Sequence, residues 1–373
     1  MTEQYPPLET EIRRRIASGG PIPVVHYMSM CLTDPKNGYY ITNDPIGAAG
    51  DFTTAPEISQ MFGELLGIWA GSVWRQMGSP TLIRLIELGP GRGSMMQDAL
   101  RAAHVMPEFR TAISVHFIEI SPLLEQKQRQ FVGGLGVPFE WHKSIEEVPD
   151  GPAIILANEF FDVLPVHQAV MCADGWHERV VKIDEEKKLR FSIARDPIPL
   201  FEQMLPRGMR AQIGAIFEWR TDRTALELGR RVRQSGGAAL VIDYGHARSE
   251  AGDTLQAVGK HNYADPLSSP GLVDLTAHVD FQALREAAES MGATAYGPLD
   301  QGEFLRRLGI EQRAAVLRNA APPSKMMDAE RALQRLTGDT GRGMGRLFKA
   351  MAFGHPTLGP LPGFEEPTQT KTA

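Results

Sequence analysis

Only two cysteines occur in 373 residues, Cys31 and Cys172, far apart and in no CxxC pair. That excludes a disulfide scaffold and argues against a structural zinc site, and no metal ligand set is read from the sequence. There is no surplus of basic charge: the formal net charge is -6, with lysines and arginines scattered. The electrostatic footprint of a nucleic-acid binder is therefore missing. No apolar run reaches the length of a membrane span; the most apolar helical stretch, near 58–74, is too short and carries Glu64. The opening residues, MTEQYPPLETEIRRRI, lack both the apolar centre of a signal peptide and the acid-poor character of a transit peptide. The expectation is a soluble, cytoplasmic protein with no nucleic-acid partner and no membrane span. At 42% hydrophobic and 23% charged residues, the chain can bury one large core with insertions, or two.

What is present is an alternation. Apolar runs at 82–88 (LIRLIEL), 113–119 (ISVHFIE), 152–157 (PAIILA) and 238–243 (AALVID) are short and almost continuous, as strands buried on both faces of a parallel sheet are. Helical stretches at 94–104 and 122–132 separate them, with a weaker strand at 137–142. This predicts βαβ units and a doubly wound α/β fold. The regularity breaks near 166, where a hairpin (QAVMCADGWHERVVKI), a charged run and prolines precede a helix near 222–234. A break of that length is too long for a simple connection and reads as an insertion. The expected organisation is an N-terminal region (1–80), a core (81–165 and 236–355), an inserted lobe (166–235) and a tail (356–373). A second helical insertion covers roughly 300–343, and 345–354 returns as a last, antiparallel strand. In the N-terminal region, Thr54-Ala-Pro56-Glu57 reads as a capping box opening a helix from Glu57 to about Gln76. Gly63, Gly67 and Gly71 recur every fourth residue on it, the spacing of close packing against another backbone.

The stretch IELGPGRGSMM, residues 86–96, joins the first strong strand to a helix through Gly89, Gly91 and Gly93. Glycines so placed suit a tight turn that brings backbone against an adenosine-containing cofactor. A dinucleotide fingerprint is nearly satisfied, so an NAD(P)-dependent oxidoreductase is one reading. Glu87 speaks against it, because dinucleotide folds keep an apolar residue there and a buried carboxylate requires a partner. Either a cationic, amino-acid-bearing ligand supplies that partner, which is the E-x-G-x-G-x-G pattern of S-adenosylmethionine sites, or Arg84 or Arg92 does. Glu119 ends the second strand, where a carboxylate accepts ribose hydroxyls or simply faces water. The third strong strand ends in LANEFFDVLP (156–165), which places Asn158 and Glu159 beside two phenylalanines at the cofactor end of the sheet.

Together these motifs resemble the MidA-like family, the mitochondrial complex I assembly methyltransferases and their bacterial relatives. The matching segments are GDFTTAPEISQMFGE (50–64), ELGPGRGSMM (87–96), EISP (119–122), ANEFFDVLPVHQ (157–168), IDYG (242–245) and DLTAHVDF (274–281). The resemblance implies a Rossmann-like, seven-stranded class I methyltransferase core with S-adenosylmethionine as cofactor. It also implies methylation of a protein arginine, in a subunit of respiratory complex I. A scaffold protein that keeps the fold without the chemistry is a further alternative.

A guanidinium nucleophile must be held by carboxylates in forked geometry. Glu159 is the first candidate, with Asp162 behind it as a substrate contact. Asp51 and Glu57 could reach the same cleft from the N-terminal region, or else only shape a turn and cap a helix. His278 is a candidate substrate contact or a buried structural histidine.

Overall fold

The computed structural model describes residues 5–365 apart from 45–46, 48–49, 51–52, 207, 260–261, 323–325 and 342. At its centre, seven strands form the continuous path of an eight-stranded sheet: β1 (Ile83–Leu88), β2 (Ile113–Ile118), β3 (Phe139–His142), β4 (Ala153–Asn158), β5 (Gly237–His246), β6 (Thr294–Asp300) and β7 (Phe348–Gly354), with the two-residue Val279–Asp280 paired to the end of β5. Their spatial order is β3-β2-β1-β4-β5-β7-β6. The first five run parallel, and β7 is antiparallel to both β5 and β6. The order reverses direction between β1 and β4, and a doubly wound sheet opens a crevice at the carboxyl ends of those two strands.

Alternation along each strand divides the core into two layers. Leu85, Phe117, Leu156 and Leu240 join one cluster with the helices α1 (Gln60–Gln76) and α2 (Ser94–Ala102). Ile86, Ile118, Ile155 and Val241 join the other, with α3 (Arg223–Ser235) and α4 (Phe281–Ser290). Each fully buried aliphatic or aromatic side chain in these layers contributes about 1.5–3 kcal/mol of transfer free energy.

The glycine spacing on α1 has the expected cause. A Cβ at Gly67 would stand 2.4 Å from the Ala99 carbonyl oxygen, and one at Gly63 would stand 2.7 Å from that of Met95. α2 therefore lies directly on α1 and is held there by backbone contact. Gly67→Ala should destabilise the protein by about 1–3 kcal/mol despite the better helix propensity of alanine, because backbone must separate. A denaturant midpoint equal to that of the wild type would show that α2 can shift freely.

The start of α1 differs from expectation. A separate short helix, Ala55–Ile58, is broken from α1 by Ser59 in extended conformation, and the Ser59 hydroxyl accepts from Met61 N–H at 3.3 Å. Thr54 makes no side-chain cap. The predicted capping box is thus not formed, and serine, one step later, starts the long helix.

Outside the core, His167–Cys172 and Gly175–Ile183 form the predicted hairpin, flanked by Leu189–Pro197 and Ile216–Trp219. Ile22–Pro23 adds to Gly175–Ile183, so the N-terminal helices Pro7–Gly19 and Val24–Thr33 pack on this sheet through Leu8, Ile12, Tyr27 and Val181. α3, by contrast, packs on the core through Ala225, Leu228 and Val232.

Candidate active site

A cavity of about 370 Å³ lies over the carboxyl ends of β1, β2 and β4. Its floor is the loop after β1, in which Gly89, Gly91 and Gly93 all take positive φ (61°, 56° and 86°). Only glycine adopts this region without strain. At Gly89 a Cβ would also press on the Phe160 ring at 3.0 Å. The cavity's roof includes Leu32, Thr33, Tyr40, Thr54 and Pro56 from the N-terminal region.

Glu87 is 2% exposed and lines this cavity, and its Oε2 has no hydrogen-bond partner among the described residues. Burial pushes its carboxyl well above the usual carboxylate range. Neither candidate arginine is its partner: Arg92 is paired with Asp44 at 2.7 Å, and no hydrogen bond or ion pair joins Arg84 to Glu87. An orphaned acid aimed into a cavity calls for a cation from outside the protein.

Glu119 is buried at the end of β2 and already oriented. Its Oε1 accepts from Ser121 N–H at 2.7 Å and its Oε2 from Gln128 Nε2 at 2.9 Å. Gln128 Nε2 also donates to the Gly91 carbonyl at 2.8 Å, while Trp141 Nε1 donates to Gln128 Oε1 at 2.9 Å. One glutamine thus fixes the ribose-type acid relative to the glycine loop. Each Glu119 oxygen keeps a second lone pair for a ligand hydroxyl. Ile118, Ile120, Leu124 and Ile145 supply apolar lining beyond it.

Asn158 and Glu159 follow β4 into the same cavity. Asn158 Oδ1 is buried without a hydrogen-bond partner among the described residues. Glu159 sits at φ 49°, a strained backbone for a side chain of this size, and its Oε1 accepts from Ala55 N–H at 3.1 Å and from Asn158 Nδ2 at 3.2 Å. Burial, reinforced by the Asp162 charge, pushes the Glu159 carboxyl up to about 7.

What holds this loop is Asp243, a residue the sequence reading passed over within IDYG. Its Oδ2 accepts from the backbone N–H of Phe160, Phe161 and Asp162 at 3.2, 2.9 and 3.2 Å, and its Oδ1 from Tyr244 N–H at 2.9 Å. Arg220 closes the other side. Its guanidinium donates to the carbonyls of Leu164, His278, Asp162 and Ala277. The only sequence signal for Asp243 was its place at the end of the adjacent strand.

The remaining expected site residues lie elsewhere. Asp162 is buried beneath the loop near Tyr244 and Arg220, outside the cavity lining. His278 packs edge-on against Tyr244 and lines a different cavity, between lobe and core, with its basicity lowered by burial. Glu57 does not line the cofactor cavity; it accepts from the Ser94 hydroxyl at 2.8 Å and ties the N-terminal strap to α2. Asp51 lies outside the described residues.

A reversing parallel sheet, a glycine loop, an unpartnered acid where an ammonium would lie and an oriented ribose acid together define a class I S-adenosylmethionine-dependent methyltransferase. The residues present are of the kind that cofactor needs: an unpartnered buried acid at Glu87 that would face its amino group, a loop of Gly89, Gly91 and Gly93 that would admit its amino-acid chain, and an oriented acid at Glu119 that would accept its ribose hydroxyls. Residues 65–299 match the family described as "Putative S-adenosyl-L-methionine-dependent methyltransferase", and the chain belongs to that family. The "Protein arginine methyltransferase NDUFAF7, mitochondrial" of Danio rerio is 39% identical over 83% of this chain and 78% of its own length. The Drosophila melanogaster homologue of the same name is 38% identical over 92% and 84%. A crystal structure of a Burkholderia thailandensis protein bound to S-adenosyl-homocysteine superposes with a TM-score of 0.82 at 30% identity, covering 98% of this chain and 96% of its own. The oxidoreductase reading falls with this membership. The cytoplasmic expectation is overturned as well, since these curated relatives are mitochondrial proteins. Inspection of the opening residues was too weak a guide to compartment.

Proposed function

We propose that the chain methylates an arginine of a protein, within a subunit of respiratory complex I or its counterpart. Two things support the reading: relatives of 38–39% identity are named protein arginine methyltransferases, and Glu159 stands on the cavity wall beside the expected methyl position. The Glu159 carboxylate is the observation that carries it. The cofactor supplies an activated methyl on a sulfonium. The protein's share is to hold one guanidinium in line with that methyl, exclude water and take the proton the nitrogen gives up. Both protein hydrogen bonds of Glu159 fall on Oε1, so Oε2 is the atom offered to the substrate. A carboxyl poised at about 7 suits a group that binds a cation and then accepts a proton.

The sign of the pH dependence follows. The raised pKa means Glu159 is protonated below 7 in the free enzyme and ionised above it. Transfer under kcat/KM conditions should therefore rise with pH, by roughly tenfold per unit on the acid side, and level off above about 7. Stability of the free protein moves the other way: the contribution of this group is present at low pH and is lost as pH rises through the folded value. The test is transfer of labelled methyl to a candidate arginine protein, followed by hydrolysis and identification of the methylated amino acid. Label on lysine, histidine or a carboxyl group would refute the arginine assignment, and a rate independent of pH between 5 and 8 would remove Glu159 from the reaction.

A further inference from the structure

We propose that His116, Glu140 and His142 form a binding site for a divalent transition-metal ion, zinc above all, on the face of the sheet away from α1 and α2. His116 lies on β2, and Glu140 and His142 on the edge strand β3. The register sets His116 opposite Glu140 and Ile118 opposite His142. Residues two apart on a strand share a face, so the three side chains converge. His116 Nδ1 stands 3.0 Å from His142 Nε2, and Glu140 Oε2 stands 3.9 Å from each of those nitrogens. A point equidistant from three atoms so spaced lies about 2.1 Å from each, the bond length of zinc to imidazole nitrogen and carboxylate oxygen. The donors need not move far to close on an ion.

Further observations support the site. The second nitrogen of His116 is 3.1 Å from the Ser114 hydroxyl, the kind of outer partner that orients a ligating ring. The His116 and His142 side chains are 3% and 11% exposed while Glu140 is 58% exposed, so one side is open to solvent for entry and for water ligands. Two imidazoles and a carboxylate suit zinc, nickel or cobalt far better than magnesium or calcium. The Arg84 and Arg231 charges act on His116 and oppose a cation there, but Arg231 is already paired with Glu227 at 2.7 Å. Binding displaces the proton from the hydrogen bond between the two rings, and the ring that carried it keeps it on its other nitrogen, so that each ligating imidazole stays neutral. The two cysteines, Cys31 and Cys172, take no part in this site.

The ion would clamp a four-residue edge strand to its neighbour. The clamp sits next to the cofactor cavity without lining it: the His142 carbonyl accepts from Glu119 N–H at 3.0 Å, so fixing His142 also steadies the ribose acid. The experiment uses untagged full-length protein stripped by chelator. Cobalt(II) is titrated while visible absorption is recorded, and zinc is then added in competition. The expected result is one equivalent of cobalt with ligand-field bands, displaced by zinc. Affinity should fall about tenfold or more in Ser114→Ala, and further in Glu140→Gln and His142→Gln. Glu140 is exposed, so Glu140→Gln remains informative if His142→Gln fails to fold. Absence of the bands, or equal affinity in wild type and Glu140→Gln, would overturn the proposal and leave a hydrogen-bonded imidazole pair only.

Discussion

Glu87→Gln should lower the affinity for S-adenosylhomocysteine by about a hundredfold or more while making the free protein no less stable. The two halves of this result have opposite signs for one reason. In the free protein Glu87 Oε2 is buried with no hydrogen-bond partner among the described residues, and its carboxyl is pushed well above its ordinary range. A glutamine of the same shape removes a group that resists ionisation. Because a raised folded pKa means stability is lost as pH rises, the advantage of the variant should grow as pH climbs above the ordinary carboxylate range towards the raised folded value. In the complex the situation reverses. The ligand's ammonium then meets an amide instead of a carboxylate, and losing one partner of a buried charge pair costs about 2–5 kcal/mol. At 1.4 kcal/mol per decade, 3 kcal/mol corresponds to about a hundredfold. Isothermal calorimetry gives the affinity, and thermal melts with and without ligand give the stability, since a ligand that binds only the folded state raises it by mass action. Wild-type affinity in the variant would mean that the amino group is held elsewhere, and loss of folding would mean that Glu87 has a structural partner.

The parts of this site that were legible from sequence are those whose signal is local. Continuous apolar runs announced β1, β2, β4 and β5, because a strand covered on both faces has no polar side to show. That the glycine loop and the two strand-end acids, Glu87 and Glu119, line one cavity was legible because their place at the end of a strand fixes where they face. β6 was missed: Thr294–Asp300 contains Gly-Pro and only half-buried residues, so neither periodicity nor an apolar run marks it. The small sheet of Gln256–Gly259, Asn262–Ala264 and Asp274–Thr276 was hidden because its strands are only three or four residues long, too short to show a period.

What sequence could not supply was which acids meet. Asp243, Asp162 and Glu159 are separated by up to 84 positions, and only the pairing of β4 with β5 brings them together. Asp162 and Glu57 were read as facing the same cleft as Glu159, and neither lines the cavity that Glu159 lines. Glu57 accepts from the Ser94 hydroxyl, whereas Asp162, buried near Tyr244 and Arg220, keeps an Oδ1 with no hydrogen-bond partner among the described residues. His278, in a strong motif, packs on Tyr244 and lines a cavity other than the one Glu159 lines.

Glu159→Gln should leave S-adenosylhomocysteine binding near that of the wild type and reduce methyl transfer by about a hundredfold or more. Glutamine keeps the Oε1 acceptor for Ala55 N–H and for Asn158 Nδ2, so the loop and its strained φ are retained. The negative charge is what disappears. A planar, permanently charged guanidinium loses its counter-charge and its proton acceptor together, and a charged orienting contact of about 3 kcal/mol corresponds to that rate factor. A structural role would act differently. The Asp243 carboxylate accepts four backbone N–H groups, so Asp243→Ala strands them in the interior at about 1–3 kcal/mol each. That variant should lose thermal stability and cofactor binding along with activity. Comparing the two separates chemistry from scaffolding: Glu159→Gln folded, binding and slow; Asp243→Ala unstable throughout. The pH profile adds a second check, since the rise towards about 7 should vanish in Glu159→Gln. If Glu159→Gln methylates as fast as the wild type, the guanidinium is gripped by another wall of the cavity.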